Sequence, residues 1–296
     1  MKVKKKRIHI YAIFAINLLV GLYAIYQSTR LGCHESTDED VSTHSSSSAS
    51  SSPIRALWKQ LQQETPFNQT MQKVIVNLKP RAPSSKKDDV VLVTHGSLFK
   101  MDTFLTQLEY WNGPTSFAVY MNGLGETKPD AIDILETFLK EHKDTLHQTS
   151  IHLFMEYTKT TKKPPAYPHN ILRNLAMDHS EGDYILALDV DFIPLPKSCY
   201  NKLDRALHAQ NSSLAKEIRF KKRIMVLPAF EVYAPNGTKV ATKDQLPQSK
   251  KELYESVKAN RSESFREHRY PAGHGPTKFK LWFSAMTNPN SVYQKT

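Results

Sequence analysis

Two aspartates one residue apart, Asp189 and Asp191, close a short apolar run from Tyr184 to Leu188 that is entered from Gly182-Asp183 and followed by Pro194 and Pro196. On an extended chain successive side chains alternate sides. The two carboxylates then project the same way, roughly 7 Å apart, while Val190 returns to the core. A pair that close repels itself unless a cation or hydrogen-bond donors compensate. Hard divalent cations take oxygen ligands, and Mg²⁺ or Mn²⁺ typically joins one or two carboxylates to the phosphates of a substrate. The chemistry suited to these residues is metal-assisted binding of a nucleotide-sugar. The pattern alone is weak, because any chain of this length holds roughly one Asp-x-Asp by chance. Asp38-Glu39-Asp40 matches it too, inside a serine-rich stretch with no apolar run before it. Context separates the two: only Asp189 follows a run that reads as a strand buried on both faces, the habit of a parallel sheet.

Other residues of suitable type lie around this pair. The segment after Pro168 reads as a helix from about His169 to His179, with Ile171, Leu172, Leu175 and Ala176 on its apolar face. Asn170, Arg173, Asn174 and Met177 fall on one line of the other side. Arg173, a planar permanent cation, suits a diphosphate or a glucuronate carboxylate, and equally an ion pair with Asp183 or Asp189. Glu231, after Pro228-Ala229-Phe230, is a carboxylate placed where a general base could sit, or an ordinary surface glutamate. His274, between Gly273 and Gly275, is either a ligand contact or a loop tip.

The elements that must position these groups follow from the patterning between Asp88 and Glu252. Val90 to Val93 read as a strand followed by a loop, Thr94-His95-Gly96-Ser97. Met101, Leu105, Leu108 and Trp111 recur at helical spacing. Ser116 to Met121 form a second strand, and Ile132, Leu135, Phe138 and Leu139 a second helix. Ile151 to Tyr157 form a third strand, and Ile224 to Val232 another beyond the Asp pair. Ser249-Lys250-Lys251-Glu252 has the capping-box form that opens a helix. Strands separated by helical patterns predict an α/β fold with a mostly parallel, Rossmann-like sheet and flanking helices. In such sheets ligands bind outside the carboxyl ends of the strands, which gathers the loop Thr94–Ser97, the Asp pair and Glu231 around one crevice.

The N-terminus predicts membrane attachment. Residues 1–7 carry Lys2, Lys4, Lys5, Lys6 and Arg7 with no acid, and residues 8–26 are apolar over about the length that crosses a bilayer. Basic residues stay cytoplasmic, so the rest of the chain is expected in a lumen. A cleaved signal peptide is the alternative, although the run exceeds the usual h-region and lacks a clear cleavage site. Residues 27–53 are polar, with seven serines among residues 45–52, and read as a flexible stem. Asn68, Asn211, Asn236 and Asn260 each begin an Asn-x-Ser/Thr sequence, in keeping with a secretory lumen. The remaining residues, 54–296, suffice for one domain. Five of the net eleven positive charges lie in the first seven residues. The remainder argues for no nucleic-acid partner, and no nucleic-acid-binding motif is present. The basic clusters Lys159, Lys162, Lys163 and Arg219, Lys221, Lys222, Arg223 read either as solvated loops or as sites for an acidic ligand. Of the two cysteines, Cys33 offers a cross-link that would make a homodimer, or a plain thiol, and Cys199 lies too far from it for a bridge within one chain to be expected.

Four ordered blocks resemble glycosyltransferase family 49, the family of LARGE-type and β-1,4-glucuronyltransferases. They are Tyr167-Pro-x-Asn170-x-Leu172-Arg173-Asn174-x-Ala176-Met177; Asp189-x-Asp191-Phe192-x-Pro194; Val226-x-Pro228-Ala229-Phe230-Glu231; and Gly273-His274-x-Pro276-Thr277-x-Phe279. Val91 to Met121, with Trp111-x-Gly113-Pro114, is similar too. The resemblance implies a GT-A fold in a single-pass type II Golgi membrane protein. It further implies Mn²⁺-dependent, inverting transfer from UDP-glucuronate or a related UDP-sugar to a glycan or glycoprotein acceptor. It places the metal on Asp191, with Asp189 on the ribose side and on a metal-bound water. It puts Asn170 and Arg173 near the donor; Thr94, from the crevice loop, and His274 are the further candidate donor contacts. The family pattern continues into an aromatic-Glu-Pro segment, a Gly-Phe-Gly-x-Asn region and a late histidine, whereas this chain stops at Thr296. That departure adds a second expectation: a relative that binds UDP-sugar or glycan in the Golgi without transferring.

Overall fold

The structure is a computed structural model that describes residues 52–67, 69–82, 89–124, 130–159, 166–210, 212–221, 224, 226–233, 243–265 and 279–284. The expected anchor at 8–26, the stem, Cys33, Asn68, Asn211, Asn236 and His274 lie outside these residues. Among the described residues no helix is long and apolar enough to cross a membrane.

The chain enters through α1 (Pro53–Glu64), whose N-terminus is capped by the Ser52 hydroxyl accepting from the Arg55 amide. Five strands then form the central sheet: β1 (Thr70–Lys79), β2 (Val90–Ser97), β3 (Thr115–Leu124), β4 (Thr149–Thr158) and β5 (Tyr184–Ala187). Their order is β1-β4-β3-β2-β5. Only β1 pairs antiparallel, and the other three pairings are parallel. Connecting segments supply α2 (Met101–Trp111), α3 (Asp130–Glu141) and α4 (His169–Asp178), and α5 (Cys199–His208) and α6 (Ser213–Lys221) follow β5. This mixed α/β architecture around a mainly parallel sheet fits a GT-A-like fold, as expected.

Alternation along the strands sorts the core into layers. Phe117, Val119 and Met121 of β3 and Ile151, Leu153 and Met155 of β4 face α1, α2 and α3. Ala118, Tyr120, Val91, Val93, Ile185 and Ala187 face the opposite way, onto Leu172 and Ala176 of α4. Val90, Leu92, Tyr184 and Leu186 pack with Trp111, Leu207 and Ile218 of the α2, α5 and α6 side. The chain turns into β5 through Gly182, where a Cβ would lie 2.5 Å from Val91 Cγ2 and 2.7 Å from the Asp89 carbonyl oxygen.

Several expectations are corrected. Thr94 to Ser97 is not a loop: the parallel ladder continues to Ser97 opposite Tyr120, so these residues belong to β2. The expected strand from Ile224 to Val232 shrinks to β6 (Phe230–Val232), which pairs antiparallel with β7 (Ser262–Ser264) in a separate two-stranded sheet. Pro228 has no amide to give a ladder, and Ile224 and Val226 are exposed, so no buried face holds them in a strand. On α4, Leu172 and Ala176 are buried but Ile171 is exposed. The capping box holds: Ser249 caps α7 (Lys250–Lys258), accepting from the Glu252 amide and donating to its carboxylate. A last short helix, α8 (Phe279–Ser284), packs on Phe230.

Candidate nucleotide-sugar site

Strand order reverses between β2 and β5: the chain steps outward from β2 through β3 to β4, then returns to place β5 on the other side. Such a switch point opens a crevice at the carboxyl ends of the two strands. Asp189 and Asp191 follow β5 there, and Lys100 follows β2. The pairing with β2 reaches Leu188, whose amide bonds the Val93 carbonyl at 3.0 Å. The chain then turns, with the Phe192 amide bonding the Asp189 carbonyl at 3.0 Å. The extended geometry expected for the pair is therefore replaced by a turn, and alternation does not set where the carboxylates point. Val190 does return to the core. Its seat depends on Gly96, where a Cβ would stand 3.2 Å from Val190 Cγ1. Gln107, fully buried on α2, donates from Nε2 to the carbonyls of Asp189 (3.1 Å) and Phe192 (2.8 Å) and so clamps both ends of the turn.

The two carboxylates have different surroundings. Asp189 Oδ1 accepts from Arg173 Nη2 at 2.9 Å, and His95 Nε2 lies 3.2 Å from the same oxygen. The His95 approach is off the direction of an aligned hydrogen bond. Burial works against this carboxylate, yet the polar contacts of His95 and Arg173 prevail and hold its pKa down at about 2. His95 is 3% exposed. Its Nδ1 lies 3.0 Å from the Tyr167 hydroxyl, and its ring packs edge-on to His169. Burial, followed by the charges of Asp189 and Asp191, pushes the Tyr167 hydroxyl well above its ordinary pKa. Asp191 is 60% exposed, and its Oδ1 meets Lys100 Nζ at 2.8 Å. Oδ2 of each aspartate has no partner among the described residues.

A divalent cation at this turn would depend on the two carboxylates. Among the described residues no three His, Cys, Asp or Glu side chains group to enclose a metal. The described residues thus offer two carboxylates with one unengaged oxygen each, the contribution typical where substrate phosphates and water complete the shell. Arg173 takes the ion-pair role with Asp189 that the sequence allowed, which leaves its guanidinium beside the crevice.

The remaining expected residues are spread more widely. Asn170 is exposed on the first turn of α4, one turn before Arg173. Thr94 is fully buried, and its hydroxyl has no hydrogen-bond partner. Glu231 is half-buried on β6, facing Glu263 across the ladder, and accepts from the Tyr233 hydroxyl at 2.9 Å. The small sheet reaches the Asp turn through Phe192 and Phe265, whose ring centroids lie 5.0 Å apart. Sequence reasoning had His95 only as part of the loop Thr94–Ser97 and Tyr167 only as the start of a family block, and it did not single out Lys100 or Gln107. Gln107 left a signal of its own: a polar residue at the helical spacing of Phe104 and Trp111, on a face otherwise apolar.

A mainly parallel sheet with an aspartate pair at its switch point fits a GT-A-like fold. The comparisons give its family. The family described as glycosyl-transferase for dystroglycan matches residues 89–166 and 156–295, and the chain belongs to it. The chain is 28% identical over 206 residues to the xylosyl- and glucuronyltransferase LARGE2s of Gallus gallus, covering 70% of this chain and 25% of that relative. To LARGE1 of Homo sapiens it is 27% identical over 205 residues, 69% of this chain and 24% of the relative. To LARGE2 of Mus musculus it is 29% identical over 242 residues, 79% and 31% respectively. The chain thus spans about a quarter to a third of the length of these relatives.

Proposed function

We propose that this chain is a glycosyltransferase that binds Mn²⁺ and a UDP-sugar at Asp189 and Asp191 and passes the sugar, glucuronate, to a glycan or glycoprotein acceptor with inversion. Membership of the family, and relatives named xylosyl- and glucuronyltransferases, support the class of reaction. The observation that carries the site is the Asp pair at the switch point, each carboxylate with one oxygen unengaged among the described residues. Asp191 and Asp189 would hold the cation, which supplies positive charge beside the leaving diphosphate. Arg173 and Asn170 on α4 border the donor, with Arg173 suited to the diphosphate or the glucuronate carboxylate; Thr94 and His274 remain the further donor contacts in this reading.

In the reaction the acceptor hydroxyl oxygen bonds to the anomeric carbon on the face opposite the diphosphate. The anomeric carbon–oxygen bond breaks, and its electron pair leaves with UDP. Glu231 takes the hydroxyl proton. The layout that goes with this is a cytoplasmic tail at 1–7, a signal anchor at 8–26, a stem at 27–53 and a lumenal domain at 54–296 in the Golgi membrane.

The test is UDP binding by calorimetry with and without Mn²⁺. Asp191→Asn should abolish the Mn²⁺-dependent part, and Asp38→Asn should change nothing. Equal UDP affinity in the wild type and Asp191→Asn would sink the assignment.

A further inference from the structure

Asp189 and Asp191 have partners of different kinds. Asp189 is 31% exposed and lies against His95, which is almost fully buried, while accepting a hydrogen bond from Arg173. His95 is fixed by packing against Tyr167 and His169, and Arg173 reaches Asp189 from α4. Asp191 has one described partner, Lys100, and both members of that pair stand in solvent, at 45% and 60% exposure. An ion pair so exposed adds little to the stability of a fold. Its position is a better clue, because Lys100 is the last residue of the short helical turn Leu98–Lys100 that leads from β2 into α2, and from there its ammonium reaches the Asp turn that follows β5.

We propose that Lys100 is an exchangeable counter-ion of the nucleotide-sugar site. It neutralises Asp191 while the site is empty, and it moves to the diphosphate when cation and nucleotide arrive. The inference rests on the reading of the Asp pair as a metal and nucleotide site. A divalent cation on Asp191 and the Lys100 ammonium cannot share the carboxylate without strong like-charge repulsion at contact range. The ammonium is a point charge with three donors on a flexible four-carbon stem, so it can leave one oxygen for another within reach. The diphosphate brings negative oxygens to the same crevice at the moment the carboxylate is taken. Lys100 then acts twice with opposite sign, competing with the metal alone and assisting the nucleotide.

The opposite signs make the test. Mn²⁺ and UDP are titrated separately into the full 296-residue chain, with UDP measured at saturating Mn²⁺. Lys100→Ala should bind Mn²⁺ alone about two- to five-fold more tightly, the range expected for losing an exposed competing ion pair. It should bind UDP roughly ten-fold more weakly, the loss expected for one charge-assisted bond to phosphate. Lys100→Arg should keep nearly wild-type values of both. Unchanged UDP affinity in Lys100→Ala, or Mn²⁺ affinity that fails to rise, overturns the exchange. Asp191→Asn separates this failure from failure of the site itself. If it loses Mn²⁺ binding while Lys100→Ala changes nothing, only the exchange is wrong; if it keeps Mn²⁺ binding, the metal site and the exchange fall together.

Discussion

At the ends of β2 and β5 the backbone does the positioning. Seven of the eight residues of β2 and all four of β5 are buried, the ladder runs to Leu188, and Gln107 ties the next turn at two carbonyls. In the sheet that carries Glu231 side chains take over this task. Its strands are three residues each and β6 is only half-buried. An aromatic group of Phe230, Phe279, Trp282 and Phe283 covers it on one side, while Phe265 joins it to Phe192 and bonds the Ala229 carbonyl through its amide. The Asp turn is thus set by a ladder that the five strands of the main sheet support. The distance from Glu231 to the Asp pair is set by ring contacts between segments far apart in sequence.

The widest separation between the two regions should come from Glu231→Gln. If the small sheet supplies the base, transfer falls by about 10²- to 10⁴-fold while Mn²⁺-dependent UDP binding stays at wild type. A transfer rate near wild type takes Glu231 out of that role and leaves Glu263, which faces it, as the next carboxylate to test.

Acid should separate them next, because the main sheet encloses a histidine that the small sheet has no counterpart for among its described residues. His152 on β4 is fully buried. Its Nδ1 accepts from the Asn77 amide at 3.1 Å, and its Nε2 meets the Ser116 hydroxyl, which donates to the Ala176 carbonyl. Every contact suits a neutral ring. Burial, with His179 nearby, lowers its pKa to about 4. The unfolded chain takes up this proton near the ordinary value of 6.5, so the unfolded state binds more protons between pH 6.5 and 4. Stability present above pH 6.5 is therefore lost as pH falls through that window, about 2 kcal/mol of it by pH 5. Urea midpoints at pH 7 and pH 5 measure this loss, and His152→Gln should remove most of the difference. An unchanged difference in that variant would place the acid sensitivity elsewhere.

These two regions also differ in how much of them the sequence announced. Buried parallel strands wrote themselves as apolar runs at Val90–Val93, Ser116–Met121, Ile151–Tyr157 and Tyr184–Leu188, and all four are strands. The helix after Pro168 was legible from its sorted faces. The edge strand β1 was not, because only alternate residues such as Met71 and Ile75 are half-buried, and Val74 and Val76 point to solvent. Within the site, Asp189, Asp191 and Arg173 were legible because their chemistry stands out at a strand end or on a polar helix line. His95 was hidden by loop-like neighbours that the ladder with β3 overrides. Lys100 and Gln107 matter through partners about 90 and 80 residues away, which no local pattern encodes. The length of β6 was misread because Ile224 and Val226 look like strand residues but have no face to cover.

A smaller effect tests the clamp on the donor side. Gln107→Leu keeps the volume but removes both bonds to the turn, leaving the carbonyls of Asp189 and Phe192 short of a donor. It also removes the glutamine's own Oε1, which is buried without a partner, so the net loss should be about 1–2 kcal/mol of stability. If the clamp positions the Asp pair, Mn²⁺-dependent UDP binding weakens as well. A lower thermal midpoint with unchanged UDP affinity would mean that the ladder alone holds the turn.

The smallest effect expected is also the one that probes the small sheet directly. Glu231 and Glu263 lie opposite each other in the β6–β7 register, with the Tyr233 hydroxyl bonded to both. Like charges directly opposite on an antiparallel pair are destabilising, and a single hydroxyl proton cannot serve two carboxylates fully. Glu263→Gln keeps the shape, replaces one charge by an amide and leaves the Tyr233 proton to Glu231. The sheet should gain roughly 0.5 kcal/mol, visible as a small rise in thermal midpoint at neutral pH and low salt that shrinks as salt screens the wild-type pair. A fall in the midpoint would show that Glu263 is a holding residue whose charge the sheet needs. The small sheet would then be built like the crevice, around a compensated carboxylate, and the contrast between the two regions would reduce to the length of their strands.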